Sequence, residues 1–214
     1  MGLKGKKILI TAGPTWVPID KVRVISNIAS GKSGILLAKQ ANKKGARVTL
    51  VLGPVGATDI EKSIKINRFC YFNDLHKIMM KQLKTARYDI VIHSAAVSDY
   101  KPKRRFSDKI NSKIKGFNLE LESTIKIVDK IKKYAPKVFL IIFKLELNLF
   151  QNKMLEKARA TMRYSKADLA VVNTFSKRHP YEAMIIDENR ILSHVYSKER
   201  LANKLLEAIA HNYN

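Results

Sequence analysis

The sequence predicts an α/β protein built on a Rossmann-like, doubly wound, mostly parallel sheet with a small strand or hairpin extension. Three observations predict it. Short, nearly continuous apolar runs recur along the chain (KILIT, RVTLVL, YDIVIH, VFLIIF, DLAVV), as expected of strands buried on both faces. Segments of helical period separate them, with short links between. Small or polar residues (Gly13, Ala95, Ala96, Asp99) stand where the first and third runs end, which is where such sheets bind ligands.

The elements follow in order. Residues 7–11 (KILIT) form a strand that ends in the turn Ala12-Gly13-Pro14-Thr15. Residues 16–20 (WVPID) read as a loop, since Pro18 disfavours helix. Residues 35–44 are the first helix, stopped by Gly45. Residues 47–52 and 63–69 are strands, and 73–83 is a helix capped by Asn73 or Asp74. Residues 88–96 are a buried strand. Residues 99–117 break the pattern, and 118–122 read as a strand or the edge of that loop. A helix at 124–134, a strand at 138–145, a helix at 152–165 and a strand at 168–173 restore it. Residues 184–187 and 191–195 flank Glu188-Asn189-Arg190 as a hairpin, and 198–211 is a terminal amphipathic helix. Without internal repeat or low-complexity linker, residues 1–214 read as one domain.

Composition narrows the function. The single cysteine, Cys70, leaves no internal disulfide and no Cys-based metal site. The five histidines (His76, His93, His179, His194, His211) form no HExxH-like cluster, so no protein metal site is expected. No apolar run approaches the roughly 20 residues of a membrane span. The start MGLKGKKILIT leads straight into a strand with no signal peptide, so no membrane association and a cytoplasmic location are expected. Forty-one Lys and Arg against 18 Asp and Glu give a net charge of +23, a field that attracts polyanions. The excess is spread over helical faces such as 125–133 and 154–166, and no nucleic-acid-binding motif accompanies it. A basic nucleic-acid-binding protein is therefore the lesser alternative.

Two stretches carry candidate chemistry. Residues 24–34 (VISNIASGKSG) place an Asn, small hydroxyl residues and Gly31-Lys32-Ser33-Gly34 at a helix start. The unpaired N–H groups of a helix start suit a phosphate, although an ordinary Ser-capped surface helix has the same local sequence. A P-loop is excluded, because Ser26 stands where its first Gly belongs. A dinucleotide fingerprint is excluded too: the first turn offers only Gly13, and no acid closes the second strand. No Ser-His-Asp or Cys-His pair offers a nucleophile. Residues 99–117 hold Lys101, Lys103, Arg104, Arg105, Lys109, Lys113 and Lys115 against Asp108 alone. They read either as a lid that closes positive charge over a phosphate-bearing substrate or as a solvated loop.

Together, ILITAGPTWVPIDKVRVISNIASGKSG, DIVIHSAAVSDY, DKINS and IIFKLE, in this order over residues 6–196, resemble phosphopantothenoylcysteine synthetase, the second half of the bifunctional coenzyme A flavoprotein. The resemblance implies a ligase. A triphosphate (CTP in the bacterial branch, ATP in the eukaryotic one) activates 4′-phosphopantothenate as an acyl-nucleotide, and the cysteine amine then displaces the nucleoside monophosphate. It implies Mg2+ with the nucleotide, no flavin, and a homodimer in which strands of a small extension cross between subunits. The segments at 188–190 or 118–122 are the candidates for that crossing.

The resemblance also assigns roles. Asn27 matches the residue that holds the acyl-nucleotide, and Ser30 and Gly31 the phosphate-contacting helix start. Gly13, Ala95, Ala96 and Asp99 match nucleotide contacts. Lys109, ten residues after Asp99, matches the catalytic lid lysine, with Lys113 the runner-up. Phe143, Lys144 and Glu146 match the nucleotide-contacting strand end, where Leu147 replaces a Thr. Asn173 matches a later motif. A nucleotide-binding module without catalysis is the other alternative, and the joint presence of Asn27, Asp99 and Lys109 weighs against it.

Overall fold

The computed structural model describes residues 2–56, 59–147, 149–175 and 181–213; His179 lies outside them. In chain order the elements are β1 (Lys7–Ala12), β2 (Trp16–Pro18), β3 (Val24–Ser26), α1 (Lys32–Lys43), β4 (Arg47–Leu52), β5 (Lys65–Arg68), α2 (Phe72–Thr85), β6 (Ile90–His93), β7 (Tyr100–Pro102), β8 (Leu121–Ser123), α3 (Val128–Tyr134), β9 (Phe139–Leu145), α4 (Gln151–Ser165), β10 (Leu169–Thr174), β11 (Glu182–Ile186), β12 (Ile191–Val195) and α5 (Lys198–Asn212).

Eight strands form one sheet in the order β12-β11-β10-β9-β6-β1-β4-β5. Pairing is parallel from β5 through β10, and β11 and β12 add antiparallel. The fold is therefore the Rossmann-like α/β sheet that the sequence predicts. From β1 the chain builds outward through β4 and β5, then returns to add β6 on the other flank. The order reverses between β1 and β6, which makes the carboxyl ends of these two strands the switch point of the sheet.

The apolar runs divide between two cores because successive strand side chains point to opposite faces. Ile8 and Ile10 of β1, with Leu50, Leu52 and Ile92, pack under Leu37 and Ala38 of α1 and Leu201 and Leu205 of α5. Leu9, Val51 and Val91 pack on the other face with Leu75 and Met79 of α2, Ile131 of α3 and Ala158 of α4. Each fully buried Leu or Ile of this kind contributes about 1.5–3 kcal/mol. Among the described residues no helix is long and apolar enough to cross a membrane.

Five local expectations change. Residues 16–18 are a strand, not a loop, paired antiparallel with β3. The first helix starts at Lys32, and the third is a short one from Val128. Asp74 caps α2 from its third position, accepting the Tyr71 N–H at 3.0 Å. Part of the basic segment is a ribbon: β7 pairs with β8, with Lys101–Glu122 at 2.9 Å and Lys103–Glu120 at 3.1 Å across it. Strands of three residues leave no periodicity to read; cross-strand pairs form them.

Candidate functional site

The site is built where β1 and β6 end. Gly13 follows β1 in the left-handed region (φ 84°), and its carbonyl accepts the Ala96 N–H at 3.0 Å. The Thr15 N–H donates to the Ala96 carbonyl at 3.2 Å, and the Ser98 N–H to the Thr15 hydroxyl at 2.9 Å. These bonds zip the two loops into one wall. Below it, burial pushes His93 down to about 4, so its imidazole is neutral. Thr11 Oγ1 lies 3.1 Å from His93 Nδ1 and accepts the Ala95 N–H at 3.1 Å. This buried relay fixes the start of the wall that carries Ala95 and Ala96.

Against this wall leans the start of α1. Its N-cap is Gly31 (φ 69°), which has no side chain to cap the helix, and its first turn holds no acidic residue; among the described residues only the Lys32 N–H meets a side-chain acceptor, Ser30 Oγ. A Cβ on Gly34 would lie 2.6 Å from Ala12 Cβ and 2.7 Å from Ser94 Oγ, so only glycine lets the helix start descend onto the strand ends. Uncapped N–H groups and the positive end of the helix dipole thus open at the switch point, a setting that accepts an anion. Ser30 is exposed, and its Oγ lies 3.4 Å from the Lys32 N–H. Lys32 turns away to pair with Glu199 of α5 at 2.9 Å, so the lysine that evokes a P-loop is engaged elsewhere.

Asn27 joins the two halves. Its Nδ2 donates to the carbonyls of Ala96 and Val97, each at 3.2 Å, and its Oδ1 has no donor among the described residues. Both protons of the amide are spent on the wall, and the free oxygen remains for a ligand. Asp99, at the rim, is exposed and paired with Lys126 at 2.5 Å. On the far side of β6, Glu146 is buried beyond the end of β9, 3.4 Å from Lys144 and 3.3 Å from Lys157 of α4. Phe143 is half-buried against the α1-side core, and the Asn173 carbonyl accepts the Glu146 N–H at 3.0 Å.

Gly13, Gly31, Asn27, Ala95 and Ala96 are thus brought together at the β1–β6 mouth, Asp99 follows at the rim with Lys126 and Thr124 as its partners, and Phe143, Lys144 and Glu146 stand at the end of β9. Lys109 and Lys113 are exposed on the basic segment, and neither side chain has an acidic partner among the described residues. Sequence reasoning missed Thr11 and His93, Lys126, Lys157 and Asp20. Only Asp20 left a signal, the Asp-x-x-Arg spacing of a side-chain-stabilised turn. Two concavities, about 290 Å3 along α4 and about 570 Å3 beside Lys6, Lys137 and Tyr213, hold none of the expected residues. Among the described residues no group of three or more His, Cys, Asp or Glu is placed to hold a metal.

Comparison with known proteins adds a family to this geometry. A family model described as the DNA/pantothenate metabolism flavoprotein C-terminal domain matches residues 3–213. The coenzyme A biosynthesis bifunctional protein CoaBC of Thermococcus kodakarensis is 37% identical over 173 residues, 80% of this chain and 42% of that protein. The chain spans about half the length of the curated relatives it matches. Among solved structures, the DNA/pantothenate metabolism flavoprotein from Streptococcus pneumoniae is 26% identical with a TM-score of 0.85, covering 96% of this chain and 98% of that one. A C-terminal domain of CoaBC is 29% identical with a TM-score of 0.80, covering 98% and 96%.

Proposed function

This chain belongs to the DNA/pantothenate metabolism flavoprotein C-terminal domain family, and on that premise we propose that it is a phosphopantothenate–cysteine ligase of coenzyme A biosynthesis. The observation that carries the reading is the Asn27 amide. It is clamped by two carbonyls of the Ala95–Ala96 wall beside an uncapped helix start, with its oxygen free.

In this reading the α1 N-terminus, with Ser30 and Gly31, binds nucleotide phosphates, and Gly13, Ala95 and Ala96 leave room for the nucleotide. Asp99 contacts it at the rim, and Phe143, Lys144 and Glu146 from the other side. The carboxylate of 4′-phosphopantothenate attacks the α-phosphorus, pyrophosphate leaves, and an acyl-nucleotide forms. The cysteine amine then attacks the acyl carbon, loses a proton and expels the nucleoside monophosphate as the amide forms. Asn27 holds the acyl-nucleotide, and Lys109 supplies positive charge to the charge that develops. Lys113 is the alternative source of that charge.

Magnesium carried by the nucleotide would supply charge neutralisation at the phosphates, with no protein residue assigned to hold it, and no flavin takes part. CTP is the first triphosphate to test and ATP the second. The enzyme works in the cytoplasm as a homodimer, with residues 1–214 as one functional domain and 99–117 as its lid. The test is pyrophosphate release with phosphopantothenate, cysteine and either triphosphate. Cysteine-dependent product is expected, and its absence with both nucleotides overturns the assignment.

A further inference from the structure

We infer that Asp20 is a positioning residue whose carboxylate latches the basic segment onto the β2–β3 hairpin and so holds Lys109 in register with Asn27. The inference rests on the ligase reading for the roles of Lys109 and Asn27. It adds a residue for which that reading has no task.

Asp20 lies in the turn between β2 and β3, and its side chain is wholly withdrawn from solvent (0% exposed). A buried carboxylate persists only where hydrogen bonds replace its water. One oxygen accepts the Val22 and Arg23 N–H groups at 2.8 and 2.7 Å, closing the turn. The other accepts the Ile110 N–H at 3.0 Å and the Arg23 guanidinium. The same Arg23 nitrogen donates to the Ile110 carbonyl at 3.3 Å. Both backbone groups of Ile110 are therefore held by an ion pair about ninety positions earlier in the chain. Burial alone raises the pKa of such a carboxyl. Here the bonds from Ile110, Val22 and Arg23 outweigh that and hold it well below the usual carboxylate range, so the latch is ionised at neutral pH.

The surroundings show what the latch holds. The Phe106 N–H donates to the Ile19 carbonyl at 2.9 Å, and Lys21 pairs with Asp108 at 2.7 Å. Lys109 thus lies between two tethered neighbours while its own side chain stays exposed, with no partner among the described residues. Beyond Ile110, residues 111–118 are all exposed, and the Phe106–Phe117 ring contact at 5.5 Å closes the base of that tip. The segment divides into a fixed part through Ile110, which carries Lys109, and a tip, which carries Lys113 and Lys115. On the other side, Arg23 leads directly into β3 and Asn27. One carboxylate therefore stands on the short path between the two residues the reaction needs aligned.

The test uses the full chain and two readouts. Trypsin cleavage after Arg104, Arg105 and Lys109 should accelerate at least about tenfold in Asp20→Ala, with cleavage outside that segment and the Asp20 turn itself unchanged. Asp108→Asn, which removes only an exposed pair, should leave it unaltered. In the pyrophosphate assay, kcat should fall at least about tenfold while KM for the nucleotide stays within about twofold. Should Asp20→Ala fail to fold, Asp20→Asn keeps an acceptor oxygen and should show both effects in smaller degree. Unchanged cleavage of the segment overturns the latch whatever the activity, and faster cleavage with unchanged kcat overturns its positioning role. A parent chain without ligase activity overturns the function proposed above, and the cleavage readout still judges the latch.

Discussion

Gly34→Ala tests most directly the geometry of the helix start proposed to bind an anion. The added methyl would sit 2.6 Å from Ala12 Cβ, 2.7 Å from Ser94 Oγ and 3.1 Å from the Thr11 carbonyl. Carbon atoms in contact prefer about 3.5–4.0 Å, so the overlap with Ala12 is about 1 Å. Ala12 cannot yield, because its Cβ is fixed to a central strand. Ser94 can rotate only by giving up its 2.6 Å bond to the Thr11 carbonyl. The helix start must therefore lift by about 1 Å. Overpacking of this kind costs about 1–3 kcal/mol. For a chain of this length that is a fall in Tm of about 2–4 °C per kcal/mol. Displacing the N–H groups proposed to bind phosphate by the same distance should lower kcat/KM for the nucleotide by up to about 100-fold. Thermal unfolding and a nucleotide titration of pyrophosphate release measure the two effects. Gly2→Ala, whose Cβ would meet nothing within 4 Å, is the control. A Gly34→Ala chain with the parent's Tm and nucleotide KM refutes the tight seating of α1 and the site drawn from it.

Three further outcomes are expected. Asn27→Ala should keep the fold and lower kcat by about 100- to 1,000-fold in the pyrophosphate assay, the range for loss of one oriented polar group; full activity would remove Asn27 from the mechanism. Lys109→Gln should lose most turnover at an unchanged Tm, and near-parent activity would move the role to Lys113. Stability should fall as pH drops from about 6.5 to about 4, because His93 is neutral when folded and takes up a proton only when unfolded above its lowered pKa. The shift from 6.5 to about 4 corresponds to about 3 kcal/mol, present in full above the unfolded value and lost below the folded one. Urea unfolding across that range should show the slope in the parent chain and much less of it in His93→Gln, where only the carboxylates held low in the folded state remain to titrate.

The strands were legible because parallel strands covered on both faces must be apolar almost throughout, as ILIT, DIVI and FLII are. The helix ends were less so. α1 begins at Lys32 although its apolar period starts at Ile35, because Gly31, in the left-handed region, turns the chain into the helix ahead of the first apolar side chain. The ribbons β2–β3 and β7–β8 left no periodic trace, being held by partners distant in sequence.

The amino-acid sequence by itself determined the α/β class, the mostly parallel sheet, and a set of small and polar residues at the strand ends. Those depend on local period and residue type, which act over a few positions. Only the tertiary structure decided that Asn27 spends its amide protons on Ala96 and Val97, that Lys32 turns to Glu199, and that Asp20 seizes Ile110. Each of these pairs is separated by about 70–170 residues, so the partner is chosen by sheet order and burial, not by any neighbouring residue.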